Sequence, residues 1–250
     1  MGLFGRKIKV NTEDSIAWNN KGMALHELEK YKEAVVCYTK AIKYDPENFG
    51  VWYNKGTALT HLKKHEEAVL CFDEVIKVNP ENFGTWYAKG HALDLLEKHE
   101  EAVLCFDEAI RLDPEDSIAW NQKGISLAKL EKHEEAVLCF DEAIRLDPED
   151  FDAWLNKGHA LDLLEKYKEA VVCCDEAIRL EPKNLHAWNN KGVSLHKLGK
   201  HEEAIACFDE VIKLDPETDV WYNKGHSLKE LGRDKEAEEC FAKAKELDES

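Results

Sequence analysis

Apolar residues recur along the chain at helical spacing. Trp18, Gly22 and Leu25 are separated by four and three residues, and Ala34, Tyr38 and Ala41 follow with the same spacing. Residues spaced in this way lie on one face of an α-helix. The pattern therefore predicts two amphipathic helices, and their small residues allow the pair to pack closely.

This helix pair recurs with a fixed period. The seven tryptophans stand at positions 18, 52, 86, 120, 154, 188 and 221, so five successive intervals are 34 residues and the sixth is 33. A constant period predicts a stack of identical helix pairs and not one globular core. We number the repeats one to seven: 15–48, 49–82, 83–116, 117–150, 151–184, 185–218 and 219–250. Residues 1–14 form an N-terminal extension.

Proline and capping residues mark the predicted helix ends. A proline closes each of the first six repeats, because the residue before proline is driven out of the helical conformation. Two residues later stands a side chain that can cap the next first helix. The prolines are Pro46, Pro80, Pro114, Pro148, Pro182 and Pro216, and the caps are Asn48, Asn82, Asp116, Asp150, Asn184 and Thr218.

The repeated motif W-x3-G-x2-L, followed by A-x3-F/Y-x2-A/V and D-P, resembles the tetratricopeptide repeat over residues 15–250. The resemblance implies an all-α fold, a right-handed α-solenoid (superhelix) of antiparallel helix pairs in one array. First helices would line a concave groove, and second helices would form the convex side. This sequence departs from the family by having a lysine before the glycine in all seven repeats: Lys21, Lys55, Lys89, Lys123, Lys157, Lys191 and Lys224. We expect the lysine stems to lie along the helices and the amines to reach solvent or a neighbouring carboxylate.

The two ends of the stack differ. Two apolar columns of the second helix, which begin at Val35 and Ile42, become Glu238 and Lys245 in repeat seven. We infer that these columns face the following repeat, so that repeat seven forms its own polar cap, as the end of a solenoid requires. At the other end, the extension is expected to cover the first helix with its apolar residues, which are Leu3, Phe4, Ile8 and Val10.

Composition excludes several classes of protein. The 34 Lys and Arg against 51 Asp and Glu give a net charge of −17, which disfavours binding to nucleic acid. The acidic excess falls mainly at helix starts and on solvated faces, although an acidic docking surface for a basic partner is the alternative. The sequence predicts no membrane span and no secretory signal, so we expect a cytoplasmic protein.

Each repeat has a cysteine just before its aromatic column, and Cys174 replaces the aromatic residue of repeat five. We interpret the cysteines as small buried side chains in a reducing compartment. The alternative is a ladder of disulfides or metal ligands. The spacing between repeats, about 8–10 Å, exceeds the reach of a disulfide, and no zinc-type pair occurs. We expect no metal and no cofactor.

Candidate binding residues lie in columns of the first helix that vary between repeats. We call these columns the groove stripe; they begin at Ile16, Asn19, Met23, His26 and Glu27. Beside them runs a column of asparagines, Asn20, Asn54, Asn156, Asn190 and Asn223, which is interrupted by Ala88 and Gln122. The resemblance to the family suggests that these amides bind a peptide backbone, since an amide both donates and accepts hydrogen bonds. The alternative is that these amides bond within their own repeat. Further candidates on the stripe are Tyr53, Tyr87 and Tyr222 as apolar anchors, and His91, His159 and His226, which could also respond to pH.

These residues favour a protein–protein interaction scaffold that binds a peptide or protein segment in the groove. A clamp for a terminal carboxylate is not expected, because the matching positions in repeats one to three, such as Asn19 and Tyr53, are not cationic. The alternative function is a structural module for homo-oligomeric assembly. We do not expect an enzyme, since no convergent catalytic set or phosphate-binding glycine loop occurs.

Overall fold

The computed structural model describes residues 11–216 and 220–248. Within that part of the chain there are fourteen α-helices and no strand. The first helix of each repeat is α1 (Thr12–Glu27), α3 (Phe49–His61), α5 (Phe83–Asp94), α7 (Ser117–Lys129), α9 (Phe151–Leu163), α11 (Leu185–Lys197) or α13 (Trp221–Glu230). The second helix is α2 (Tyr31–Tyr44), α4 (His65–Val78), α6 (His99–Leu112), α8 (His133–Leu146), α10 (Tyr167–Leu180), α12 (His201–Leu214) or α14 (Asp234–Asp248). The predicted all-α solenoid class, built from helix pairs, is confirmed.

The chain divides into two compact units, Met1–Ser126 and Leu127–Ser250. In the first unit α1 packs on α2, α3 on α4 and α5 on α6, and α2 and α4 also pack on the next first helices, α3 and α5. The second unit repeats this order for α9 to α14, with α8 packed on α9. The hydrophobic core of each unit is therefore distributed along its repeats.

The predicted helix ends are confirmed where the structure describes them. The side chain of Asn82 accepts a hydrogen bond from the backbone N–H of Thr85 at 2.8 Å, and Asp116 accepts one from Ala119 at 2.7 Å. Asn48, Asp150 and Asn184 cap α3, α9 and α11 in the same way. Thr218 lies outside the described residues, and α13 has no side-chain cap.

Tryptophan fixes the connection between consecutive repeats. The indole Nε1 of Trp86 donates a hydrogen bond to the carbonyl oxygen of Pro80 at 2.7 Å, and the same bond recurs from repeat two to repeat seven. A tryptophan ring therefore closes the loop that precedes it while its apolar part packs against the core.

Glycine of the first helix lies against the aromatic ring of the second. A Cβ atom added to Gly56 would come within 2.6 Å of the Phe72 ring, and one added to Gly90 would come within 2.9 Å of Phe106. In repeat five, where Cys174 replaces the ring, a Cβ on Gly158 would lie 3.3 Å from the Cys174 sulfur. The absence of a side chain is thus needed where the aromatic ring is present.

The lysine column pairs with the preceding repeat. Lys89 Nζ lies 2.7 Å from Asp73 Oδ1, and equivalent pairs at 2.6 Å join Lys123 to Asp107 and Lys157 to Asp141. Lys191 with Asp175 and Lys224 with Asp209 continue the series. Each amine also lies 5.5–5.7 Å from the centre of the tryptophan ring of its own helix. The predicted contact of the amine with a neighbouring carboxylate is confirmed for these five lysines.

The apolar columns that were expected to face the following repeat do so. Val35 packs against the buried cluster of Leu59, Ala68 and Phe72 in repeat two, and Val171 packs against the cluster around Phe208 in repeat six. In repeat seven, Glu238 and Lys245 are exposed. The side chains of the N-terminal extension that were expected to cover repeat one, Leu3, Phe4, Ile8 and Val10, lie outside the described residues.

All eight cysteines are buried and none forms a disulfide. Burial raises the pKa of the Cys71, Cys105, Cys173 and Cys207 thiols to about 11 and that of Cys174 to about 12. The thiols are therefore protonated at neutral pH, which agrees with their interpretation as small core side chains.

Candidate functional site

The groove stripe lies on the first helices, on the side away from the tryptophan and leucine columns that enter the core. Its members range from exposed to buried: Ile16 is 53 % exposed and Tyr222 is 57 % exposed, whereas Asp94 and Asn121 are buried. These side chains project from helices whose starts are fixed by the capping residues and the tryptophan bond described above. The residues of the stripe thus vary between repeats, whereas the contacts that position their helices recur.

The asparagine column takes part in contacts between repeats. Asn54 Nδ2 donates a hydrogen bond to Asn19 Oδ1 at 3.1 Å, and Asn223 Nδ2 donates one to Asn189 Oδ1 at 3.2 Å. These bonds join successive first helices, whereas the alternative considered from sequence was a bond within one repeat. Each bond uses one N–H of the amide, so the remaining N–H and the carbonyl oxygen can still serve a ligand.

The other asparagines of this column differ in exposure. Asn20 is exposed, while Asn156 and Asn190 are half-buried. Repeats six and seven therefore contain two successive half-buried members, Asn190 and Asn223.

The three tyrosines predicted as anchors pack on aromatic rings of the core. Tyr53 lies 5.9 Å from Phe72 and Tyr87 lies 5.9 Å from Phe106, measured between ring centres. Both are half-buried, and burial raises the pKa of Tyr87. Tyr222 lies 5.6 Å from Phe241 but is more than half exposed. Among the three, Tyr222 presents the largest share of its ring to a partner.

The histidines predicted on the stripe are placed differently from one another. His91 is half-buried, whereas His159 and His226 are exposed. The ring of His226 lies 4.5 Å from Tyr222 and 5.2 Å from Phe241, with a perpendicular orientation to both. Aromatic contacts therefore hold His226 in position on the surface.

A cleft of about 270 Å³ lies between α11 and α13, on the groove stripe of repeats six and seven. The apolar residues at the cleft are Val193, which is half-buried, and Phe208, which is fully buried. The polar residues around it are His196, Lys197, Asn223 and His226. The structure thus brings two of the predicted residues, Asn223 and His226, to one concave site.

Hydrogen bonds favour one tautomer of His196 in this cleft. The hydroxyl of Ser227 donates to the main-chain carbonyl oxygen of Asn223 at 3.2 Å, which leaves the hydroxyl oxygen to accept from His196 Nδ1 at 2.9 Å. The neutral ring then has an unprotonated Nε2, which is a hydrogen-bond acceptor. Burial, together with the nearby His201 and Lys197, lowers the pKa of His196, so that the ring is neutral at pH 7.

Sequence reasoning missed one set of polar contacts between repeats. Asp94 accepts hydrogen bonds from Ser126 Oγ at 2.9 Å and contacts His99 Nδ1 at 2.8 Å. Asp162 accepts one from Ser194 Oγ at 2.6 Å. These aspartates belong to the groove stripe, but their side chains bond to the next repeat and so contribute to the packing of the fold.

These contacts can be recognised in the sequence when two columns of the aligned repeats are compared. Serine occurs at 126, 194 and 227 in a column that is otherwise alanine, and the stripe residue of the preceding repeat is then Asp94, Asp162 or His196. The two columns therefore vary together. Asp94 and Asp162 also stand three residues after His91 and His159, a spacing at which two side chains of one helix could meet a metal ion. Within the described residues, however, no group of three or more His, Cys, Asp or Glu could hold one.

The fold and this surface together define an all-helical repeat protein. The tetratricopeptide repeat profile matches residues 15–48, 50–82, 84–116, 117–150, 151–184, 186–217 and 218–250, and the chain belongs to the tetratricopeptide repeat family. Members of this family act as protein–protein interaction scaffolds, and this chain is one of them. No helix in the described residues is long and apolar enough to cross a membrane.

Solved structures show the same fold. A tetratricopeptide repeat protein from Parabacteroides merdae is 17 % identical, with a TM-score of 0.72 and coverage of 94 % of this chain and 93 % of that one. YrrB, described as a TPR protein with an unusual peptide-binding site, is 23 % identical with a TM-score of 0.65, covering 73 % of this chain and 94 % of its own. PilF of Pseudomonas aeruginosa is 18 % identical with a TM-score of 0.68, covering 83 % and 95 %. A search of curated protein sequences gives no match.

Proposed function

We propose that this scaffold binds a peptide or an extended protein segment on its groove stripe, and that repeats six and seven form the main site. The cleft between α11 and α13 is the observation that carries the proposal, because it combines an apolar base with polar groups at its edge. Sites of this kind bind through a buried apolar anchor, while a few polar groups fix its orientation.

The polar groups suit a peptide backbone. Asn223 keeps one N–H and its carbonyl oxygen beyond its bond to Asn189. His196 Nε2 adds an acceptor, since its Nδ1 is bonded to Ser227. A peptide unit needs both a donor and an acceptor, and this pair of side chains supplies both.

Neighbouring residues extend the site along α11 and α13. Asn190 is half-buried one turn before the cleft, and Tyr222 is exposed beside His226. The peptide-binding site named for YrrB gives further support, although the likeness to YrrB concerns the fold alone at 23 % identity. The buried, protonated thiols fit a reducing compartment such as the cytoplasm.

Selection from a displayed library of random peptides tests the proposal. Peptides recovered on the intact protein should bind Asn190→Ala and Tyr222→Ala about five-fold more weakly, because each change removes roughly 1 kcal/mol of contact. Neither side chain has a partner whose loss would unfold the repeat: Asn190 has no side-chain hydrogen bond within the described residues, and Tyr222 is mostly exposed. Glu202→Ala, on the exposed side of α12, is the matched control and should bind normally. Recovery of no peptide, or equal binding by all variants, would refute a groove site.

A second candidate function is assembly through the second helices. Leu70, Leu104 and Leu138 are 65 %, 66 % and 66 % exposed, although the same column carries Ala206 and Glu239 in later repeats. Folding therefore does not require an aliphatic residue there, and exposed leucines of this kind can form contacts between copies. Measurement of the solution mass over a range of concentrations distinguishes the two: a monomer at high concentration argues against assembly, whereas an oligomer that L104E dissociates supports it.

A further inference from the structure

The cleft between α11 and α13 differs in charge from the rest of the molecule. The chain has 51 acidic and 34 basic residues, yet none of the six residues around the cleft is acidic. Lys197 supplies a full positive charge, and Asn223 and His226 supply polar groups with N–H donors. A site with this composition prefers a ligand that carries negative charge.

Four lysines near Lys197 form ion pairs, whereas Lys197 and Lys229 form none within the described residues. Lys191 pairs with Asp175, Lys200 with Glu203, Lys213 with Glu210 and Lys224 with Asp209. For Lys197 the described part of the chain offers no ion pair, and its side chain is exposed. Because its amine is not neutralised by the fold, it can pair with a charge on a ligand.

The same position differs between repeats. It is Glu27, His61, Leu95, Lys129, Leu163, Lys197 or Glu230 from repeat one to repeat seven. The positive charge at this place is therefore a property of repeat six and not a requirement of the helix pair. It also lies far along the chain from the positions of repeats one to three where the family's carboxylate clamp would stand.

We infer that this cleft selects a segment in which an apolar side chain stands next to an aspartate or glutamate. The apolar side chain would pack on Val193, beside the fully buried Phe208. The backbone would bond to Asn223 and His196, and the carboxylate would pair with Lys197. This inference rests on the proposed groove function and specifies its ligand.

An array of synthetic peptides tests the inference. The peptides are acetylated and amidated, with leucine fixed at the centre and glutamate, glutamine or lysine fixed beside it, and all other positions randomised. The intact protein should be retained about five-fold more by the glutamate pool than by the glutamine pool, as expected for one accessible ion pair. The lysine pool should retain it least.

The variant Lys197→Glu should lose the preference for the glutamate pool and favour the lysine pool. Lys213→Glu is the matched control, because it makes the same change in net charge at the end of α12, and it should keep the wild-type preference. Unchanged selectivity in Lys197→Glu, or the same change in both variants, overturns the inference.

Including Asn190→Ala separates this inference from the groove function. If Asn190→Ala lowers retention by every pool while Lys197→Glu leaves selectivity unaltered, the groove binds peptides and only the acidic ligand is wrong. If no pool retains the wild-type protein, the groove function and the inference are both wrong.

Discussion

Lys89 Nζ lies 2.7 Å from Asp73 Oδ1, so the first helix of repeat three is tied to the second helix of repeat two. The side chains of this pair are 20 % and 35 % exposed, and the lysine amine lies 5.7 Å from the centre of the Trp86 ring. The same bond recurs in the following repeats, whereas Lys55 faces repeat one, which has Thr39 where repeats two to six have aspartate. The junction between repeats one and two therefore lacks the carboxylate that pairs with the lysine at the later junctions.

Thr39→Asp should add the missing ion pair. We expect an increase in the free energy of unfolding of about 0.5 kcal/mol, the size typical of a partly exposed pair. Chemical denaturation of the wild type, the single variant and the Thr39→Asp/Lys55→Met double variant measures it. The gain should shrink in 1 M salt and vanish in the double variant; a gain that persists there contradicts an ion pair with Lys55.

Glycine should be replaceable in repeat five and not in repeat six. In Gly192→Ala the new methyl group overlaps the buried ring of Phe208, which should cost roughly 1–3 kcal/mol. In Gly158→Ala the nearest atoms are the Cys174 sulfur at 3.3 Å and Cys173 Cβ at 3.4 Å. The higher helix propensity of alanine, about 0.8 kcal/mol, should offset this tight contact and leave stability nearly unchanged. Urea midpoints of the two variants provide the comparison, and equal losses would show that the ring does not decide the requirement.

Stability should fall in alkaline solution as the buried thiols ionise. The pKa of Cys71, Cys105, Cys173 and Cys207 is raised from 9.0 to about 11, because burial disfavours the thiolate. Each thiol then stabilises the folded chain fully below pH 9, and this contribution, up to about 2 kcal/mol each, is lost as the pH rises from 9 to 11. Thermal unfolding between pH 8 and pH 11 follows the effect. A variant with alanine at these four positions should have a flatter pH profile, since lysines and tyrosines titrate equally in both proteins.

The N-terminal extension should protect the exposed end of repeat one. Ala17 and Ala24 are exposed, while the equivalent Val51 and Ala58 in repeat two are fully buried by the preceding repeat. The backbone N–H of Asn11 donates to the carbonyl oxygen of Tyr44 at 3.1 Å, which places Asn11 beside the C-terminal end of α2. We propose that Leu3, Phe4, Ile8 and Val10 cover these alanines. Removal of residues 2–10 should lower the Tm or cause self-association, and no change in either measurement would disprove the cover.

Much of the fold could be predicted because its determinants are local. The capping bond from Asn82 to Thr85 spans three residues, and the proline that ends α4 acts on the residue before it. A column that changes from Val35 to Glu238 likewise identifies the face that contacts the next repeat, because charge is costly at a buried interface. Because these features recur from repeat to repeat, the helix boundaries predicted for one repeat support those predicted for the others.

The candidate site was less predictable, because its properties depend on contacts between residues about 34 positions apart. Sequence identified Asn223 and His226, but not the bond from Asn223 to Asn189 or the pairing of His196 with Ser227. Asp94 and Asp162 varied as binding residues would, yet they bond to serines of the next repeat. Variation at a surface column can serve the interface between repeats as well as a ligand.

The sequence by itself determined the helices, their pairing, the period and the polar end at repeat seven, since periodicity, caps and burial act through neighbours in the chain. Only the tertiary structure decided which side chains of the groove stripe remain available. It placed Phe208 beneath α11 and α13, joined His196 to Ser227, and left Lys197 at the edge of the cleft without an ion pair among the described residues. A change of a few tenths of an ångström in the distance between two polar atoms decides whether they form a hydrogen bond or an ion pair. These distances are set when the helices pack.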